Sequence, residues 1–552
     1  MRRKWGWKGG FAVKEMGKYP GKSIAYQDVF WAVFEIKQKR RHEAVFPDSL
    51  RAAGGKPAGF FGKALFRIFV FYARSFRPSA FGLLFYSGNL NDVGRRNAGV
   101  LGVLAAERLF FAPNFVALRR SFRHSLIMKL FNVFLGLAAA LAAGGCCGTG
   151  GVNSASVLKY DSFNPGQVWL DDNGRHINAH GAGAIFDNGR YYIFGEHKLG
   201  GTLGNKSVVG VHCYSSDDLY NWKDEGIALE MSGDPNSEIV RGTILERPKV
   251  IYNPRTKKYV MWMHLEFRKG PTAKSADLKD IYAEKPDYST ARAGVAVADK
   301  IAGPYKYVGS FRPNAGKYPI NGADGLRAYR AELEKDPNWK SKKFKGEERE
   351  KALARGFAFL RDFDGGQMSR DMTLFADDDG RAYLGCASED NSTFHIHELN
   401  SEYTGFTGRF ARVFPGGYHE APAFFKRGGK YYMFSSHCTG WAPNPGRVSV
   451  SDEMLGEWRE LGNPCRGDGQ KKSKTVPVEA KADTTFRSQS SAVIPVRGKK
   501  DAFIYFGDRW IPEDAIDGRY IVLPVEWEGS GEGATPVIRW RDKWKIEDVF
   551  KD

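Results

Sequence analysis

Cysteine is scarce in this chain, with six in 552 residues. Cys146 and Cys147 are adjacent, while Cys213, Cys386, Cys438 and Cys465 lie far apart. No C-x-x-C pair exists, so nothing points to a zinc site. A long apolar run is lacking too. The best candidate, residues 130–145 (LFNVFLGLAAALAAGG), falls short of the ~20 residues that span a bilayer. An excess of one charge is missing from most of the chain, although the formal net charge is +19. Residues 1–127 hold 23 Lys and Arg against 7 Asp and Glu, which leaves 59 against 56 for residues 128–552. A near-neutral body implies no basic face, and no nucleic-acid partner is expected.

Residues 1–127 scatter Arg, Lys, Gly and Phe with no sustained period, and read as an upstream extension or a disordered stretch rather than a domain. Met128-Lys129, the apolar run and the small residues after it are the parts of a bacterial signal peptide. Ala143-Gly144-Gly145-Cys146 resembles a lipobox with an imperfect first position. Residues 128–147 are therefore expected to export the chain to the periplasm, outer membrane or cell surface, with Cys146 acylated as the only membrane contact. A plain secretory signal is the alternative. Residues 148–163 then form a tether, and residues 164–552 a folded body expected to be monomeric. Export permits disulfides among the remaining cysteines, without implying a pairing.

That body repeats one pattern five times: an apolar pair, a short polar turn, then a strand rich in aromatics. The copies are AIFDNGRYYIFGEH from Ala184, VIYNPRTKKYVMWMH from Val250, TLFADDDGRAYLGCAS from Thr373, AFFKRGGKYYMFSSH from Ala423 and AVIPVRGKKDAFIYFGDRW from Ala492. Asp-Asn-Gly, Asn-Pro-Arg-Thr, Asp-Asp-Gly and Arg-Gly-Gly let the chain reverse, so each copy is a hairpin. Most are followed by a further apolar strand ending in a polar corner. Two strands plus two make a four-stranded blade, and five starts predict an all-β, five-bladed propeller. The starts lie 50 to 69 residues apart, except for 123 between Val250 and Thr373. Part of that excess, residues 313–366, reads as a charged, helical, solvated insertion in the second blade.

Inner strands of a propeller line its axis, and polar residues stand just before each first strand here. They are Asn178-Ala-His180-Gly, Glu246-Arg247-Pro-Lys249, Ser369-Arg370-Asp371, His419-Glu420-Ala-Pro and Ser488-Gln489-Ser490. Glu246, Asp371 and Glu420 supply three acids to one ring. Glycoside cleavage requires such a set: one carboxyl kept protonated to assist the departing oxygen, with a neighbouring carboxylate to raise its pKa. Trp441 and Trp510, in CTGW and GDRW, offer flat faces for a sugar ring. His180, Glu196, Arg370, Glu389 and Arg509 are further candidates for contacts to the sugar.

The motifs NAHGAGAIFDNGRYYIFGEHK, ERPKVIYN, SRDMTLFADDDGRAYL, SEDNSTFHIHELN, HEAPAFFKR with CTGWAPN, and SQSSAVIPV with GDRW resemble glycoside hydrolase family 43, in its exo-β-1,3-galactanase-like branch. The resemblance runs from about Asn164 to about Phe550 and implies a five-bladed propeller with an inverting mechanism. It implies Glu420 as general acid, Asp371 as the carboxylate that tunes it and orients substrate, and Glu246 as a substrate contact. Most of the family has a general-base Asp where this chain has Asn178-Ala-His180-Gly. In the galactanase-like branch Gln489 matches an amide that positions or activates water instead, with His180 as the alternative. The resemblance also admits a structural cation in the propeller channel, but no dedicated oxygen-ligand loop is present, and no other cofactor is expected.

The expected activity is exo-acting removal of terminal β-galactosyl residues from a galactan or arabinogalactan side chain, the partner being a polysaccharide or oligosaccharide. An α-L-arabinofuranosidase or β-xylosidase of the same family is the second enzyme reading. A catalytically silent glycan-binding propeller is the reading from another class, favoured by the missing base and opposed by Glu420, Asp371 and Gln489 standing together.

Overall fold

A computed structural model describes residues 159–472 and 479–551. The expected upstream extension, the signal segment with Cys146, and all but the last residues of the tether lie outside the described residues. Blade I comprises β1 (His180–Asp187), β2 (Arg190–Lys198), β3 (Val208–Ser216) and β4 (Lys223–Glu230). Blade II comprises β5 (Ile244–Asn253), β6 (Lys258–Lys269), β7 (Lys285–Ala298) and β8 (Lys306–Phe311). Blade III comprises β9 (Met372–Ala376), β10 (Ala382–Ser388), β11 (Thr393–Leu399) and β12 (Phe406–Val413), and blade IV comprises β13 (Glu420–Arg427), β14 (Lys430–Ser436), β15 (Arg447–Ser451) and β16 (Arg459–Gly462). Blade V holds β18 (Gln489–Pro495), β19 (Phe503–Arg509), β20 (Arg519–Glu528) and β21 (Thr535–Arg539), with a short parallel strand β17 (Cys465–Arg466) added outside β21. Each blade is otherwise an antiparallel meander in sequence order, and the predicted hairpins are the first two strands of each.

Side chains alternate across a strand, so adjacent residues face opposite neighbours. In β2, Ile193 joins an apolar core with blade V residues Ile494, Ile504 and Phe506, while Phe194 joins one with blade II residues Val250, Met261 and Met263. Val260 and Trp262 meet Leu384 and Cys386 of blade III, and Phe394 and Ile396 meet Phe424 and Met433 of blade IV. Phe425 and Phe434 pack on Tyr505 and Leu523 of blade V. Five cores thus lie between five blades. Burial on both faces explains why these strands read as apolar runs rather than as alternation. The four described cysteines are free thiols.

The charged stretch folds into α2 (Ala323–Leu333), α3 (Gly346–Arg355) and α4 (Phe357–Arg361), after α1 (Leu278–Ala283) in the long β6–β7 connection. It lies between blades II and III in sequence. It is less solvated than expected, because Leu326, Tyr329, Trp339, Phe357 and Phe359 form a sixth core with Phe410 of β12. Among the described residues no helix is long and apolar enough to cross a membrane.

Candidate active site

Four of the five inner strands begin with the same irregularity. Pairing with the second strand shifts register between His180 and Gly183, Glu246 and Lys249, Glu420 and Ala423, and Ser490 and Ala492. Such bulges bend a strand and re-aim its side chains. Within the first three, Gly181, Arg247 and Ala421 adopt φ of 60°, 51° and 53°. Glycine is required at the first of these, since a Cβ on Gly181 would come within 2.5 Å of Glu196 Oε1. The polar residues ahead of each strand therefore converge at one end of the axis.

There they line a cavity of about 380 Å³, with walls from Glu196, Glu246, Arg370, Asp371, Glu420, Gln489, Trp441 and Trp510. All eight are residues singled out in the sequence. Arg247, at the hub, was quoted there only as part of its motif. Its Nε donates to Asp371 Oδ2 (2.7 Å), its Nη2 to Gln489 Oε1 (2.9 Å), its Nη1 to the Ser490 carbonyl (3.0 Å), and its backbone N–H to Glu196 Oε1 (3.0 Å). The buried guanidinium thereby ties blade II to blades III and V at the pocket floor, and the backbone N–H of the same residue adds blade I.

The two central acids differ in charge state. Burial pushes the Glu420 pKa up to about 7, and the nearby Asp371 carboxylate adds to this by repulsion. Burial also works to raise Asp371, but Arg247, then His264 and the Ala421 N–H (2.9 Å from Oδ2), hold it below the usual carboxylate range. A protonated carboxyl thus stands beside an ionised one near neutral pH, the pairing that lets a carboxyl donate a proton to a leaving group. Gln489 is held at three points. Its Oε1 accepts from Arg247 and from Trp510 Nε1 (3.1 Å), and its Nε2 donates to Ser436 Oγ (3.1 Å). Two obligate donors fix which end of the amide is oxygen.

Several wall and floor residues went unnoticed in the sequence. His264 lies 2.9 Å from Glu246 Oε2 through Nδ1 and 2.9 Å from Glu266 Oε1 through Nε2. Burial opposes its charge, yet the two carboxylates raise its pKa to about 10. Lys198, fully buried, lies 3.0 Å from Glu196 Oε2, donates to Asn205 Oδ1 (2.8 Å), and sits 4.5 Å from the Trp510 ring centre. Asn205 donates in turn to Glu246. Lys198 and His264 follow Glu196 and precede Glu266 by two residues, and that spacing places each pair on one strand face. Tyr288 and Asn391 come from loops and a strand edge with no such period. Glu246, His264 and Asp371 bring ligand atoms within 4.8 Å of one another. That donor set is already matched by protons and a guanidinium, since His264 faces a carboxylate from each nitrogen and Asp371 faces Arg247.

Three expected sugar contacts stand away from the cavity wall. His180 is buried behind Trp510, stacked at 5.5 Å on one side and 6.1 Å from Tyr520, and burial keeps its ring neutral. Glu389 is fully buried. Burial works against its charge, but Arg412 and His395 hold its pKa down at about 2. Arg509 donates to Gln470 Oε1 (2.9 Å) and the Phe486 carbonyl (2.7 Å). In each case a residue beside a strand end faces into the protein instead of the funnel.

Comparison with known proteins agrees with this geometry. The family model described as glycosyl hydrolases family 43 matches residues 359–492. A search of curated proteins found no match. Among solved structures, the family 43 β-1,3-galactosidase BT3683 with galactodeoxynojirimycin is 43% identical over 70% of this chain and 100% of its own, with a TM-score of 0.60. The exo-β-1,3-galactanase of Phanerochaete chrysosporium, solved with β-1,3-galactotriose, is 28% identical over 70% of this chain and 68% of its own, at a TM-score of 0.50. That of Clostridium thermocellum is 28% identical over 70% and 67%, at 0.51. With a full-length relative at this identity and the five-bladed ring around these acids, the chain belongs to glycoside hydrolase family 43.

Proposed function

We propose that the pocket removes single β-galactosyl residues from the end of a galactan or arabinogalactan side chain, with inversion at the anomeric carbon. The observation that carries this reading is Glu420, protonated near neutrality beside ionised Asp371 in a cavity at the small end of ligand sites, which run roughly 300–1,000 Å³. Trp441 reaches across the mouth toward blade I, where a Cβ on Gly204 would lie 3.6 Å from its ring, and Trp510 stands 5.7 Å behind it. A funnel walled on that side takes a chain end rather than its middle. The relatives named β-1,3-galactosidase and exo-β-1,3-galactanase support galactose as the sugar.

In the reaction Glu420 gives its proton to the glycosidic oxygen as the bond to the anomeric carbon breaks, water attacks that carbon from the opposite face and releases its surplus proton to solvent, and Glu420 is reprotonated from solvent once the leaving sugar departs. Asp371 stabilises the positive charge that builds on the ring, and Glu246, Glu196 and Arg370 bind sugar hydroxyls. Gln489 positions the water. Its oxygen already accepts two hydrogen bonds and is a poor proton acceptor, but an oxocarbenium-like transition state asks more for placement than for basicity. Incubation with β-1,3-linked galacto-oligosaccharides should release galactose one unit at a time, with the α-anomer first in proton NMR. Release of arabinose or xylose only, binding without release, or a first-formed β-anomer would each overturn the reading.

We also propose that residues 128–147 export the protein and that Cys146 carries lipid, which would hold the enzyme where polysaccharide is met. The supporting observation is the basic start, short apolar run and cysteine in that order. Palmitate labelling should disappear in Cys146→Ser, and persistence of the label would refute the anchor.

A further inference from the structure

Glu389, Asp390 and Asn391 follow β10 and adopt φ of 53°, 57° and 67° in succession. Non-glycine residues enter this region at an energetic cost, and three in a row persist only where the surroundings hold them. Two arginines do so. Arg412 of β12 places Nε 2.5 Å and Nη2 2.8 Å from the two carboxylate oxygens of Glu389. The same Nη2 donates to the carbonyls of Leu353 and Ala354 in the last turn of α3, at 3.2 and 3.3 Å. Arg361, the last residue of α4, forks onto both oxygens of Asp390 at 2.8 and 3.1 Å, while Asp362 steadies its guanidinium at 2.8 and 2.9 Å. The third residue of the loop, Asn391, donates its Nδ2 to Glu420 Oε1 at 2.7 Å. An unbroken chain of contacts therefore runs from the helical layer to the acid.

We propose that the helical layer between blades II and III is a positioning device for the acid: Arg361 on Asp390, with Arg412 on Glu389, holds Asn391 against Glu420 Oε1 and leaves Oε2 as the oxygen that carries the proton. An N–H pointed at Oε1 excludes a proton from that oxygen. Only one oxygen then delivers to the leaving group, in a fixed direction. Arg361 is a positioning residue that acts through Asp390 and Asn391, remote from the sugar. The proposal rests on the reading of Glu420 as the proton donor.

The test compares full-length Arg361→Met, Arg361→Lys and, as a control on α2, Arg327→Ala. Two substrates are used: β-1,3-linked galactobiose, whose leaving sugar needs protonation, and dinitrophenyl β-galactoside, whose leaving group does not. Arg361→Met should lower kcat on galactobiose by on the order of 10-fold, part of what a positioned acid contributes. KM and the dinitrophenyl rate should stay near wild type. The alkaline limb of the galactobiose profile should move to higher pH, because a donor favouring ionised Glu420 is loosened. Arg361→Lys, which keeps the charge but not the fork, should restore only part of the rate, and Arg327→Ala should match wild type. Equal losses on both substrates, or an unmoved alkaline limb, would overturn the proposal by making Arg361 a purely structural residue. If Arg361→Met does not fold, Asp390→Asn weakens the other half of the same fork at a residue outside the cavity wall, and is read the same way. The underlying role of Glu420 fails separately, if Glu420→Gln itself loses both substrates equally.

Discussion

Glu420 is held with a proton that it would release near 4.5 in an ordinary setting and here keeps to about 7. Since the folded state binds that proton more tightly than the unfolded chain, stability from this group is complete below about 4.5 and is lost as pH rises through about 7. The shift corresponds to roughly 3 kcal/mol. Glu420→Gln cannot ionise, so its melting temperature relative to wild type should climb between pH 5 and pH 8. A gap independent of pH would mean that the carboxyl is not perturbed. The same ionisation moves activity in the same direction: turnover of unactivated galactosides should fall above about pH 7, because the ionised form has no proton to give.

At the level of strands, β1 and β2 approach so closely that Gly195 has no room for a side chain. A Cβ there would lie 2.2 to 2.5 Å from the backbone of Ala179. Backbone cannot yield as a rotamer can, so Gly195→Ala should cost roughly 3 kcal/mol or more, read from urea denaturation. A loss under about 1 kcal/mol would show that the two strands separate easily. Local chemistry made the hairpins legible in the sequence, since turn residues and apolar pairs are neighbours along the chain. The bulges were not legible, because a register shift exists only once two strands pair. That is why Glu246, Asp371, Glu420 and Gln489 were found from their positions ahead of inner strands, while His180 was expected in the funnel and lies behind Trp510. Glu389 was a candidate sugar contact, but its partner Arg412 stands two strands away, a contact that neighbours along the chain do not reveal. The helical layer was legible as helix from its charge and period, whereas its landing place on Phe410 depended on contacts far along the chain.

Across the whole ring, no strand among the described residues passes between the first blade and the last. The seam is closed by the core shared between blades I and V, by hydrogen bonds such as Gly181 N–H to Asp508 Oδ2 (2.8 Å) and Ser491 Oγ to the Ala182 carbonyl (2.7 Å), and by the bridge from Phe163 to Trp544, with Trp544 Nε1 donating to the Val522 carbonyl (2.8 Å). The rings of Phe163 and Trp544 also meet at 4.5 Å, tilted by 33°. Deleting residues 543–552 should therefore open this joint first. Limited proteolysis of the shortened protein should cut within 159–180 before any inter-blade loop elsewhere. Cleavage that begins in another blade would show that the seam is not the weak point.

Because the seam carries no strand exchange, the order of the blades along the gene is a matter of history more than of mechanics. Asp161 and Lys545 form an ion pair at 2.8 Å, so the two ends of the ring already touch. Each four-stranded unit is one uninterrupted stretch of polypeptide. A circular permutant, joined across that contact and reopened between blades III and IV, would keep every neighbour that builds the pocket.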